Sequence, residues 1–330
     1  METMHRRSFL KTTARGLGLL GTAGLLDSFG GWAPAAADPD RAIITILQTN
    51  DVHSRIDPFP EGSGRNAGRA GAARRATLID AVRRENPNTL LVDAGDVFQG
   101  TPYFNLFKGE LDFKVMSALG YDVMTIGNHD FDAGMDGLAR AARFADFDMI
   151  SANYDFSGTV MERKVKPHVI KQVGPARVGL FGLGVILQGL VPPDLCKGVV
   201  YNDPLQTARS QARYLRDQEQ CDLVIALSHL GNTGYAGEAG DQTLAREVPE
   251  IDLIVGGHSH TFMDAPTRYR HGERETLVFQ VGFAGINVGR VDFHMRAGRV
   301  TSASARVLPV GEPVGEQLRE HAGAAELTRV

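Results

Sequence analysis

Short apolar runs rich in β-branched residues recur along the chain and alternate with stretches of helical spacing. The runs are Ile43–Gln48, Thr89–Val92, Val123–Ile126, Met149–Ala152, Val178–Leu183, Leu223–Leu227 and Leu253–Val255. Near-continuous apolar runs of this length predict strands buried on both faces. Between them, Ala72, Ala76, Ile79 and Val82 fall near helical spacing within Gly71–Arg84, and Leu111–Leu119 and Asp203–Asp217 also predict helices. Alternating strands and helices make an α/β protein. After Gly256 the pattern changes. Thr276–Val281, Val288–Met295 and Val300–Leu308 predict strands joined by tight turns, an antiparallel closure of a sheet.

Polar motifs sit at the ends of five of these runs. They are Thr49-Asn50-Asp51-Val52-His53, Asp93-Ala94-Gly95-Asp96, Gly127-Asn128-His129-Asp130-Phe131-Asp132, Ser228-His229 and Gly256-Gly257-His258-Ser259-His260. In an α/β sheet, functional groups gather where strands end. Asp51, His53, Asp96, Asn128, His129, Asp132, His229, His258 and His260 form an oxygen and nitrogen donor set without cysteine. Such a set suits one or two divalent ions such as Mn, Fe or Zn, and predicts metal-assisted hydrolysis. Any one motif alone reads more readily as a turn. Five in succession, all at strand ends, do not.

Composition sets the bounds. The chain has 330 residues, 43% hydrophobic, and a net charge of −4, so no global basic field favours nucleic acid or an anionic membrane. Arg6-Arg7-Ser8-Phe9-Leu10-Lys11, an apolar stretch from Gly16 to Leu26, and Ala35-Ala36-Ala37 follow the order of an export signal. The paired arginines resemble the twin-arginine signal. This implies the twin-arginine export machinery as a partner and a periplasmic or otherwise exported location. The expected division is 1–37 signal, 38–310 catalytic domain and 311–330 tail. No segment of the mature chain reads as a membrane span. Cys196 and Cys221 are the only cysteines, and spacing leaves open whether they pair.

The runs Asp93–Pro102, Ala118–Asp132 and Ile254–Thr261 resemble the calcineurin-like metallophosphoesterases, most closely the catalytic domain of the 5′-nucleotidase group, over most of residues 43–310. The resemblance implies a four-layer α-β-β-α sandwich holding two divalent ions (Mn, Zn or Fe). It implies that Asp51, His53 and His260 ligate one metal, that Asn128, His229 and His258 ligate the other, and that Asp96 bridges them. A water between two such ions loses a proton near neutral pH and attacks phosphorus. His129, oriented by Asp132, is then expected to face the phosphoryl group, with its pKa raised by the carboxylate. The bland alternative is a helix start capped by this pair. The expected substrate is a small phosphate monoester, nucleotides foremost. Phosphodiesters, nucleotide sugars, sulfur esters and a non-catalytic binding role remain alternatives. The second domain of the extended 5′-nucleotidases, which holds the nucleobase, is expected to be absent.

Overall fold

A computed structural model describes residues 41–311. The expected export signal and all but the first residue of the expected tail lie outside the described residues. One sheet has seven strands, in spatial order β15 (Arg299–Pro309), β14 (Asn287–Arg296), β1 (Arg41–Thr49), β2 (Thr89–Asp93), β3 (Val123–Thr125), β4 (Asp148–Ile150) and β6 (Val165–Lys166). The other has six, in order β12 (Thr267–His271), β13 (Arg274–Phe279), β11 (Leu253–Gly256), β10 (Leu223–His229), β8 (Ala176–Gly184) and β7 (His168–Val173). A small separate pair joins β5 (Tyr154–Asp155) to β9 (Val200–Tyr201).

The two-residue period of each strand divides its side chains between two cores. Ile44 and Ile46 of β1, Leu90 and Val92 of β2, and Val123 of β3 pack in one core with Leu180 of β8, Ile225 and Leu227 of β10, and Val255 of β11. That core is the interface between the sheets. The alternate residues of the first sheet, Leu47, Leu91 and Met124, pack with α1 (Ala72–Glu85), α2 (Pro102–Phe107), α3 (Glu110–Leu119) and α4 (Gly134–Ala141). Phe181, Val224 and Ile254 of the second sheet pack with α5 (Pro204–Arg213) and α6 (Asp241–Glu247). The layers therefore run helix, sheet, sheet, helix, as expected.

The strands β1 to β4 and β8, β10 and β11 coincide with the seven apolar runs to within a few residues at each end. The predicted helix Asp203–Asp217 is α5 followed by a π-helical turn at Tyr214–Gln218. It starts where the Asp203 carboxylate accepts the backbone N–H of Gln206 at 2.6 Å, with Pro204 in the first turn. The closure after Gly256 differs from expectation. β13 pairs parallel to β11, and the chain then crosses to the other sheet, where β14 pairs antiparallel to β1 and β15. The pattern announced strands but not the crossing, because both cores are equally apolar. Both cysteines are free. No helix among the described residues is long and apolar enough to cross a membrane.

Candidate metal centre

The parallel strands β1, β2 and β3 neighbour one another, as do β10 and β11. Their following loops thus leave from the same edge of each sheet. Beyond β1 and β2 the ladder continues into the loops: Asp51 N–H donates to Gly95 O at 2.9 Å and His53 N–H to Asp96 O at 3.1 Å. The two sheet edges meet through side chains. His229 Nδ1 lies 2.7 Å from Ala94 O, and both Asp51 carboxylate oxygens accept the His258 N–H at 3.1 Å.

Seven expected metal residues gather there in two adjoining groups. Asp51, His53 and His260 each place a donor atom within 4.8 Å of the others, and so do Asp96, His229 and His258. Asn128 joins the second group, with Oδ1 2.9 Å from His258 Nδ1. Asp51 Oδ1 lies 3.3 Å from His260 Nε2 and 4.0 Å from His229 Nε2, so the groups share a border.

The donor set fits cations. His229 Nδ1 is placed to donate to Ala94 O, which turns the lone pair of Nε2 toward Asp96 Oδ2 at 3.1 Å, without the alignment of a hydrogen bond. His53 repeats the pattern. Its Nδ1 faces Phe98 O at 3.1 Å, and its Nε2 meets His260 Nε2 at 3.0 Å. Nitrogen and oxygen atoms that converge at such distances need a proton or a metal ion between them. The field has the matching sign. Burial disfavours charge on both members of the Asp96–His229 pair. Even so, His229 holds the Asp96 carboxyl well below the usual range, and Asp96 pushes His229 up to about 10. The field that favours a proton there has the sign that suits a cation.

Backbone strain marks the same residues. Asp51, His53, Asp96, His258 and His260 have φ of 49°, 50°, 56°, 70° and 50°, in the left-handed region. Each costs about 1–3 kcal/mol and persists only where surrounding contacts over-determine it. Asn50 supplies one such contact, donating to Asp51 Oδ2 and to Gly282 O, each at 2.6 Å. Glycines allow the close approach. A Cβ on Gly127 would sit 2.3 Å from Asp96 Oδ1, and one on Gly95 would sit 2.6 Å from Gly127 N.

His129 borders the first group, its ring 5.4 Å from that of His53. Its Nδ1 lies 2.9 Å from Asp132 Oδ2, and this hydrogen bond raises the His129 pKa against the effect of partial burial. His258, by contrast, is pushed down to about 4 by burial and by His229.

Sequence reasoning missed Asp130. Its fully buried carboxylate accepts backbone N–H groups of Gly127 at 2.8 Å, Asp96 at 3.1 Å and Val97 at 3.0 Å. Burial, with Asp96 nearby, pushes it up to about 7. Its signal was its place within the Gly127–Asp132 motif. Phe98 and Phe104, near the Asp96 loop, are buried in the core, whereas Phe107 is exposed. Among the remaining histidines, His168 bonds Gln211 and His271 bonds Ala245 O, away from the centre.

Comparison with known proteins gives a consistent picture. Residues 44–262 match the family model described as calcineurin-like phosphoesterase. A trifunctional nucleotide phosphoesterase of Bacillus subtilis is 32% identical over 308 residues, covering 83% of this chain and 20% of the relative. A 5′-nucleotidase of Vibrio cholerae is 32% identical over 317 residues, covering 88% of this chain and 56% of the relative. The crystal structure of a 5′-nucleotidase precursor from Thermus thermophilus superposes with a TM-score of 0.73 at 31% identity, covering 87% of this chain and 59% of that one. The chain thus spans between a fifth and just over half of these relatives.

Proposed function

The chain belongs to the calcineurin-like phosphoesterases, and on that footing we propose that it is an exported two-metal hydrolase of phosphate monoesters, nucleotides first among them. The observation that carries the proposal is the pair of adjoining donor groups, in which imidazole nitrogens and carboxylate oxygens converge. In this reading Asp51, His53 and His260 hold one ion, Asn128, His229 and His258 the other, and Asp96 serves both. When bound, such ions neutralise phosphoryl oxygens and lower the pKa of water.

The chain's own residues do the rest. Ala94 O and Phe98 O fix the tautomers of His229 and His53, so that Nε2 of each is the donor. Asp132 takes the Nδ1 side of His129 and favours its charged form. That leaves the Nε2 proton for the oxygen of the departing alcohol. The nucleotide preference rests on the named activities of the relatives. Export rests on the twin-arginine motif at Arg6-Arg7.

The experiment is phosphate release by the chain stripped of metal and reloaded with Mn, over AMP, a nucleotide diphosphate sugar, an aryl monoester and an aryl diester. Metal-dependent turnover led by AMP is expected. Turnover of the diester or the sugar nucleotide without the monoesters would replace the monoesterase reading.

A further inference from the structure

We infer that Gln280 is a positioning residue that sets both halves of the centre at once. The inference rests on the two-metal reading above. Gln280 is fully buried, one residue beyond β13, and belongs to none of the polar motifs. Its side chain grips a single loop at three points. Nε2 donates to Gly257 O at 2.7 Å, while Oε1 accepts from Ser259 Oγ at 3.0 Å and from the Thr261 N–H.

Those three residues alternate with His258 and His260, which belong to different donor groups. Both histidines carry left-handed backbone, at φ 70° and 50°. Two adjacent strained turns on non-glycine residues relax unless something holds the backbone between them. Gln280 holds it on either side of each histidine. This amide therefore helps to set the position of His258 relative to His260, and with it the spacing of the two groups, beside the Asp51 carboxylate that accepts the His258 N–H. Ser259 Oγ also accepts the Asn232 N–H at 3.0 Å, which ties the loop after His229 into the same clamp.

The chemistry of the contacts allows little else at this position. The Thr261 N–H demands an acceptor, and the Gly257 carbonyl, which also accepts the Ser259 N–H at 2.9 Å, takes a second donor. Glutamate supplies the first and opposes the second, leucine supplies neither, and asparagine is one methylene shorter. The space is prepared as well. A Cβ on Gly256 would sit 2.2 Å from Asp241 Oδ2 and 3.0 Å from Gln280 Nε2.

The test compares Gln280→Leu and Gln280→Glu with the unaltered chain by Mn titration and by electron paramagnetic resonance of the loaded protein, with melting curves as a check of folding. The unaltered chain is expected to bind two Mn ions with an exchange-coupled spectrum. Gln280→Leu is expected to weaken both ions by about tenfold or more and to lose the coupled signal. Gln280→Glu, which keeps the two accepted bonds, is expected to fall between, and it decides the matter if the leucine variant does not fold. Coupled ions at unchanged affinity in the folded variants would overturn the role of Gln280 alone. Weakening of one ion only would also overturn it, since the clamp acts on both histidines. Fewer than two ions in the unaltered chain would overturn the two-metal reading itself and this inference with it.

Discussion

Asp130 Oδ2 accepts the backbone N–H of Asp96 at 3.1 Å and that of Gly127 at 2.8 Å, so one buried carboxylate ties the loop after β2 to the loop after β3. Its other oxygen accepts Val97 N–H at 3.0 Å. Asn at this position offers one acceptor oxygen and turns an NH2 group toward backbone donors. Asp130→Asn is expected to weaken metal binding by about 10–100-fold, read by titration. It is also expected to lower stability by about 1–3 kcal/mol, read by urea unfolding. Unchanged metal affinity would show that the loops hold their places without this tie.

His129 is expected to matter in proportion to how badly the leaving group needs a proton. His129→Ala should lower kcat for AMP by about 10²–10⁴-fold with two metals retained. For an aryl phosphate whose phenol leaves readily as the anion, the loss should be far smaller. Equal losses on both esters would contradict proton donation and leave only charge stabilisation. Asp132→Asn, which removes the carboxylate that orients Nδ1, should show the same leaving-group dependence in weaker form.

Gly127 has no freedom to carry a side chain. An added Cβ would lie 2.3 Å from Asp96 Oδ1 and 2.8 Å from His229 Cε1. Gly127→Ala is therefore expected to displace two metal residues and cut AMP turnover by about tenfold or more, in line with the cost of misplaced reacting groups. Metal titration of the variant separates displacement of the centre from loss of fold.

A buried ion pair holds the far side of the first sheet. Arg290 is buried, with Nε 2.8 Å from Asp292 Oδ2, and it meets Glu85 through two bonds of 2.9 Å. Arg290→Leu takes the guanidinium from the buried Asp292 carboxylate, which keeps the Thr45 Oγ1 bond at 2.6 Å. It should destabilise the fold by about 3–5 kcal/mol, measured by urea unfolding, without altering the number of metals bound by the folded protein.

The sequence made the central strands and the donor set legible for one shared physical reason. Strands buried on both faces are continuous apolar runs, and the polar residues that interrupt them at Asp51, Asp96, Asn128, His229 and His258 stand out against that background. The edge strands of the second sheet gave no such signal. β7 and β12 are only partly buried, and Lys171, Gln172, Arg268 and Arg270 within them read as loop. The supporting residues were equally silent. Asp130 and Gln280 act on backbone groups of loops distant in sequence, and no periodicity marks a side chain whose partners are main-chain N–H and C=O. The left-handed backbone of Asp51, His53, Asp96, His258 and His260 was invisible too, because it goes against the preference of those residue types and is imposed by their surroundings.

The most direct test of the account is to titrate Mn into the metal-stripped chain while counting bound ions and measuring phosphate release from AMP in the same samples. The account predicts two ions per chain, turnover that rises with the second, and loss of both the second ion and turnover in Asp96→Asn. Full turnover with one ion or none, or two tightly bound ions with no phosphate released from AMP, would contradict it.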